Sequence, residues 1–211
     1  MERIACFVDG FNLYHAIDDL NQDHLKWLNL WSLLDSFARK AHQETVSVFY
    51  FSAYATWLPD AYKRHREYVN ALEGIGVTPV MGFFKEKDRS CHQCGAHWKA
   101  HEEKETDVNI ALYMLNESYQ DNYDRAFLLS ADSDLAPVIR LLRKEFPQKP
   151  LRLIAPPGRR HSKESVAAFG GHPSLRSIKK GKLKHFLLPR EVRDVHGRVV
   201  AVRPAKYDPP V

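Results

Sequence analysis

Apolar positions run almost unbroken from Arg3 to Val8 and stop at Asp9-Gly10, the pattern of a strand covered on both faces inside a parallel sheet. The same grammar recurs at Thr45 to Phe51, at Ala126 to Leu129 before Ser130-Ala131-Asp132, and at Leu151 to Ile154 before Ala155-Pro156. Between these runs the spacing changes to three and four, which predicts helices over about Trp31–Ala41, Asp60–Leu72, Glu103–Glu117 and Asp134–Lys144. Pro59 precedes the second of them and Pro137 falls in the first turn of the last, both positions where a missing N–H is harmless.

Strands alternating with helices predict a three-layer α/β/α sandwich around a mainly parallel sheet, in which ligands gather at the carboxyl ends of the strands. Asp9 and Asp132 are both expected at that edge. A β-rich stretch from Val77 to Asp88 leads through a cluster of Cys and His into the third helix, and reads as an insertion beside the same edge, at about residues 85–102. Past Phe169 the pattern weakens, and residues 183–205 predict a small hairpin turning at His196-Gly197. The expected organisation is therefore a domain over 1–170 and an extension over 171–211.

At 211 residues and 44% hydrophobic content the chain can bury a sizeable core. No run approaches the roughly 20 apolar residues of a membrane span, and the first residues lack a charged leader with an apolar signal core, so a cytoplasmic protein without membrane contact is expected. The net charge of +5 is unevenly spread: residues 171–211 hold ten Lys/Arg against three Asp/Glu, whereas the preceding residues hold 21 against 23. A near-neutral body with a basic extension suits contact with a phosphate backbone, although such extensions are also commonly just solvated.

Three segments supply acids at comparable places: Asp9-Gly-Phe-Asn12, Glu103-Lys-Glu-Thr-Asp107, and Asp132-Ser-Asp134. Taken singly, each acid also has a structural reading as a turn residue, a first-turn helix acid or an N-cap. Taken together they predict a cluster, and a cluster of like charges is expected to hold a cation. All-oxygen ligands favour Mg²⁺ or Mn²⁺. Such an ion suits hydrolysis of a phosphodiester. Glu103 either completes the cluster or caps the third helix, and Ser130 and Ser133 are placed to bond a carboxylate, with a helix cap favoured for Ser133.

Phe7-Val-Asp9-Gly-Phe-Asn12, Glu103-Lys-Glu-Thr-Asp107-Val108 and Ser130-Ala-Asp132-Ser-Asp134-Leu135 resemble, in that order, the three motifs of the NYN domain family, a branch of the PIN-like nucleases. Phe186-Leu-Leu-Pro189 and Gly197 to Pro204 resemble the closing segment of a bacterial subgroup that carries a Cys-x-x-Cys insertion. The resemblance implies a PIN-like fold and metal-dependent endoribonuclease activity on single-stranded or structured RNA. It implies metal binding by Asp9, Asp107, Asp132 and Asp134, and a role for Asn12 in orienting the metal-bound water or a phosphate. Two positions depart from the pattern: Glu105 stands where many relatives resemble glycine, and Leu135 replaces a frequent aromatic.

Cys91-His-Gln-Cys94-Gly-Ala-His97-Trp-Lys-Ala-His101 offers zinc-type ligands within eleven residues. A structural Zn²⁺ on Cys91, Cys94 and His97 or His101 is expected, against the alternative of a reduced surface loop; the third cysteine, Cys6, lies in the first strand. Lys63, Arg64, Arg66, Arg159, Arg160, Lys179, Lys180, Lys182 and Lys184 are candidates to track a backbone, and Tyr54, Trp57 and Tyr62 to stack on bases. RNA is the expected partner, and a homo-oligomer is compatible with the sequence.

A non-catalytic or partner-gated RNA-binding module is the main alternative. A phosphatase using an Asp-x-Asp nucleophile fits less well, because Asp132-Ser-Asp134 comes late in the chain rather than after the first strand. Neither G-x-G-x-x-G nor G-x-x-x-x-G-K-[ST] follows a strand, and no G-x-S-x-G occurs, which speaks against nucleotide-cofactor and serine-hydrolase chemistry.

Overall fold

Strand β1 (Glu2–Asp9) sends Ile4, Cys6 and Val8 into one apolar core and Ala5 and Phe7 into another, which is why its sequence is apolar at consecutive positions rather than alternate ones. The computed structural model describes residues 1–170 and 173–210. On the first face of the sheet lie α1 (Gly10–Asp18), α2 (Leu30–Asp35) and α3 (Pro59–Gly74), contributing Leu13, Ile17, Leu33, Leu34, Val69 and Leu72. On the second lie α4 (Thr106–Tyr119) and α5 (Ala136–Glu145), contributing Ile110, Met114, Ile139 and Leu142. The short α6 (Lys163–Ala167) leads into Ala168 and Phe169, buried in that same core.

Around β1 the sheet assembles β2 (Gln43–Ala53), β3 (Thr78–Ser90), β4 (His97–Lys104), β5 (Arg125–Leu129), β6 (Leu151–Ala155) and β7 (Ser174–Ser177), in the order β4-β3-β2-β1-β5-β6-β7. Every neighbouring pair is parallel except β3 with β4. The expected α/β sandwich is therefore present. From β1 the chain builds outward on one side to β2 and β3 and later returns to the other side with β5, so the order reverses at β1. Ligand crevices in open α/β sheets form at such a reversal, beyond the strands' carboxyl ends.

Four boundaries differ from the sequence expectation. The first predicted helix shrinks to Leu30–Asp35: Asn29 caps its start, the Ser36 hydroxyl donates to the Leu33 carbonyl at 2.6 Å, and Phe37 and Ala38 close tighter three-residue turns that steer the chain toward β2. The third begins at Thr106, because Glu103 and Lys104 are still paired in β4 with Phe84 and Phe83 and Glu105 turns the chain at φ +77°. The last begins at Ala136, leaving Asp132, Ser133 and Asp134 in the loop before it. The stretch taken as an insertion divides in two: Thr78–Gly82 pair with β2 inside the main sheet, and only the remainder of β3 projects with β4 as a hairpin arm.

The same sheet continues past residue 170. Strand β7 lies beyond it and completes the sheet. The predicted terminal hairpin is present as β8 (Glu191–Arg193) and β9 (Val199–Val202), and it packs on α3. Leu188, Val192, Ala201 and Tyr207 bury against Trp27 and Ala71, and the Trp27 indole donates to the Pro189 carbonyl at 2.9 Å.

Candidate metal and active site

The pairing of Val8 with Leu129 brings the ends of β1 and β5 together, so that Asp9 faces Ser130 across the sheet's carboxyl edge. Ser130 donates its hydroxyl to Asp9 Oδ2 at 2.7 Å and accepts the Asp132 amide at 3.0 Å, tying both acids to one oxygen. Asp9 also caps α1, its Oδ1 accepting the Asn12 amide at 2.9 Å. The Asn12 side chain crosses the gap in return, accepting from the Ala131 amide at 3.0 Å. Farther back, the Asp132 carbonyl accepts the Ser165 hydroxyl at 2.8 Å, which fixes the loop to α6. Gly10 follows the acid for a steric reason: a methyl group there would lie 2.5 Å from the Phe51 carbonyl oxygen and 2.7 Å from the Tyr50 ring.

Asp107 enters from the first turn of α4, and one oxygen each of Asp9, Asp107 and Asp132 lie within 4.8 Å of one another. Among the described residues this is the one group of three or more His, Cys, Asp or Glu so gathered. Burial, resisted by the bonds from Asn12 and Ser130, pushes the Asp9 carboxyl up to about 6. Asp107 also rises to about 6, through burial first and then through the charges of Asp9, Asp132, Glu103 and Asp134. A dication relieves both causes at once, and a set of carboxylate oxygens is a hard donor set suited to Mg²⁺ or Mn²⁺. The residues present thus fit such an ion.

Asp134, expected as a fourth ligand, stands outside the triad. Its amide donates to Asp132 Oδ1 at 2.9 Å and its side chain is exposed, so it flanks the triad as a nearby charge. Glu103 takes the capping role, accepting the Thr106 amide at 3.0 Å and the Thr106 hydroxyl, while remaining close enough to repel Asp9 and Asp107. Ser133 does not cap α5 with its side chain.

The Cys/His cluster is only partly assembled. Cys91 and Cys94 share the exposed hairpin tip, where the amides of Cys94 and Gln93 lower the pKa of the Cys91 thiol. His97 starts β4 opposite Ser90, next to Cys91. His101 lies four residues along the same strand, about 13 Å away at ordinary strand rise. It stacks on Trp57 with ring centres 3.7 Å apart and sits 3.7 Å from the Glu86 carboxylate. The structure therefore does not bring His101 to the thiols.

Of the basic and aromatic candidates, Arg159 pairs with Asp19 at 2.6 Å, Arg66 lies over the Tyr62 ring, and Tyr54 packs between Tyr62 and His65. Lys179, Lys180, Lys182 and Lys184 are exposed. The sequence pattern gave no sign of a cavity of about 550 Å³ beside the carboxylates, with Gly10 and Glu103 in its wall. The wall draws on α1, β2, α3, β3 and β4 and on Lys26 and Tyr207, so no single stretch of sequence carries its signature.

Residues 3–164 match the NYN domain family. The chain is 24% identical to a 6-hydroxy-3-succinoylpyridine 3-monooxygenase of Pseudomonas putida, over 97% of this chain and 75% of that protein. A crystal structure of a protein of unknown function from Vibrio parahaemolyticus matches with a TM-score of 0.57 at 20% identity, over 89% of this chain and 96% of that one. At that identity the likeness concerns the fold.

Proposed function

Because this chain belongs to the NYN domain family, whose members share a PIN-like nuclease fold, we propose that it is a divalent-metal-dependent endoribonuclease that hydrolyses RNA phosphodiester bonds. The observation that carries this reading is the convergence of Asp9, Asp107 and Asp132 from three separate segments to within 4.8 Å. Mg²⁺ or Mn²⁺ held there would supply an activated water and offset the charge that develops on the phosphate. Asp9, clamped by Ser130 and the Asn12 amide, holds the buried side of that site. Asp107 and Asp132 hold the open side, where substrate enters. With its oxygen engaged by Ala131, Asn12 keeps its side-chain nitrogen free to donate to a phosphate oxygen. Asp134 acts from the rim as a flanking charge.

Labelled single-stranded and hairpin RNAs incubated with the purified protein and Mn²⁺, Mg²⁺ or EDTA test this. Cleavage is expected only with a divalent ion and is expected to fall at least about 100-fold in Asp132→Asn. RNA that is bound but left whole by both proteins sinks the hydrolytic reading in favour of a binding or partner-gated module.

A second reading follows from the Pseudomonas relative, and the aromatic cavity beside the acids favours it: oxygenation of a hydroxypyridine. It predicts dioxygen uptake that depends on a hydroxypyridine and a reductant, with RNA left intact. Zinc at Cys91 and Cys94, with His97 as a third ligand, belongs to either reading as a brace on the hairpin arm. Zinc content that is unchanged in Cys91→Ser would remove it.

A further inference from the structure

The cavity lies beside the carboxylates. Its wall includes Gly10, which follows Asp9, and Glu103, whose charge bears on Asp9 and Asp107, together with residues of α1, β2 and α3. Phe11, Tyr14, Tyr50, Tyr68, Phe84 and Tyr207 place aromatic rings in its wall, and Leu58 and Ala61 add apolar surface from the start of α3. A volume of about 550 Å³ is in the range of pockets that enclose small ligands.

Charge inside is sparse and mostly committed. Glu103 is the one carboxylate among the lining residues described, and it faces Thr106. Lys26 is neutralised by Asp18 and Asp23. His65, 3.2 Å from the Tyr50 hydroxyl, is kept neutral by burial, its pKa lowered to about 4. Arg64 reaches the wall beside the Tyr207 hydroxyl and brings donors but no carboxylate partner from the lining. An ionised guest would give up its hydration here for little return, whereas a flat uncharged ring with a polar edge finds aromatic faces and donors. At the mouth, Trp57 stacks on His101 with planes 7° apart and meets Phe84 edge-on at 4.7 Å, so the rim is aromatic as well.

We propose that this cavity takes up one unpaired nucleobase of the RNA, adjacent to the phosphodiester held at the carboxylates. The inference rests on the hydrolytic reading above and adds to it a substrate class. A base paired in a duplex reaches the pocket only by giving up its pairing and stacking, so single-stranded RNA and loops are the favoured substrates. Arg64 is the group placed to meet a carbonyl on the base, and the rim aromatics are placed to carry the neighbouring base.

Single-stranded RNAs that carry one abasic residue, walked along the sequence, are cleaved with Mn²⁺ by the wild type and by Ala61→Trp, which fills the cavity and leaves every carboxylate in place. One abasic position beside the cut is expected to slow wild-type cleavage at that bond about 10-fold, the scale of one base–aromatic stack. Ala61→Trp, shown by matching melting curves to be folded, is expected to cut intact RNA about 10-fold more slowly and to ignore the abasic position. Separately, 2-aminopurine riboside titrated in EDTA should be quenched by the wild type and not by Ala61→Trp. Cleavage by the wild type that is indifferent to every abasic position overturns the pocket assignment and leaves the nuclease standing. Quenching with no RNA cut under any metal overturns the nuclease and, with it, the claim that the bound base belongs to a substrate strand. Displacement of the riboside by a carboxylated hydroxypyridine at lower concentration also overturns the assignment, in favour of the oxygenation reading.

Discussion

Glu105 carries a φ of +77°, a left-handed conformation that costs a residue with a Cβ roughly 1 kcal/mol. The turn it makes sets the start of α4 and so the position of Asp107. Glycine, which has no Cβ, adopts this conformation without that cost. Glu105→Gly is therefore expected to raise stability by about 1 kcal/mol, read as a higher urea midpoint with an unchanged slope; an unchanged midpoint would show that the turn is not strained. Asp107 gives a prediction with a pH signature. Its folded pKa of about 6 lies above the unfolded value of about 3.9, so its contribution favours folding below pH about 4 and is lost as pH rises through 6. In EDTA, Asp107→Asn should thus be the more stable protein at pH 7.5, by about 1 kcal/mol after allowance for its half-exposed carboxylate, and equal to wild type at pH 4. Saturating Mn²⁺ should reverse the order at pH 7.5. At this scale the three gathered aspartates were legible, because each closes a strand or opens a helix. The exclusion of Asp134 was not, because a two-residue step in a loop does not fix where a side chain points.

Among elements, the junction from β1 to α1 concentrates the most constraint. Strand and helix meet with no intervening loop, Asp9 ends one and caps the other, and Gly10 fits between the Phe51 carbonyl and the Tyr50 ring. Gly10→Ala forces the helix away from the sheet directly after Asp9, the buried acid of the triad. It should cost about 1–3 kcal/mol in denaturant unfolding and reduce metal-dependent cleavage more than any loss of folded protein accounts for. Cleavage at the wild-type rate by the folded variant would show that the acid tolerates the shift. The buried strands were readable because burial on both faces leaves an unbroken apolar run. Helix limits were less readable: Ser36 and Glu105 end or delay helices through local hydrogen bonding and backbone turns that apolar spacing does not record. The double role of β3, half sheet and half arm, depends on which partners it meets, although its composition shifts from the uncharged Thr78–Gly82 to five charged residues among Phe83–Ser90.

Across the whole molecule, the basic segment that looked like an appendage is part of the packed structure. Its charges face solvent, while Leu188, Val192, Ala201 and Tyr207 are buried with Trp27 and Ala71. Charge counting registers the first property and hides the second. Removal of residues 179–211 is accordingly expected to cost at least about 5 kcal/mol, given about 1.5–3 kcal/mol for each fully buried apolar side chain. Equilibrium unfolding of the shortened protein measures this, and an unaltered transition would return the segment to the status of a tail. The PIN-like sandwich itself was legible as an alternation of strands and helices. The cavity was not, since its wall is drawn from five helices and strands and from Lys26 and Tyr207 outside them.

The hairpin arm has one more implication. Its tip, residues 92–96, is exposed and lies between the segment that carries Asp9 and the segments that carry Asp107 and Asp132. Opening the chain there would divide the acids between two polypeptides, with β1 in one and its neighbour β5 in the other. Each half would be inert, and activity would return only on reassociation. The arm is thus a natural seam for a two-fragment complementation reporter, in which the proposed RNA cleavage would register the meeting of two fused proteins.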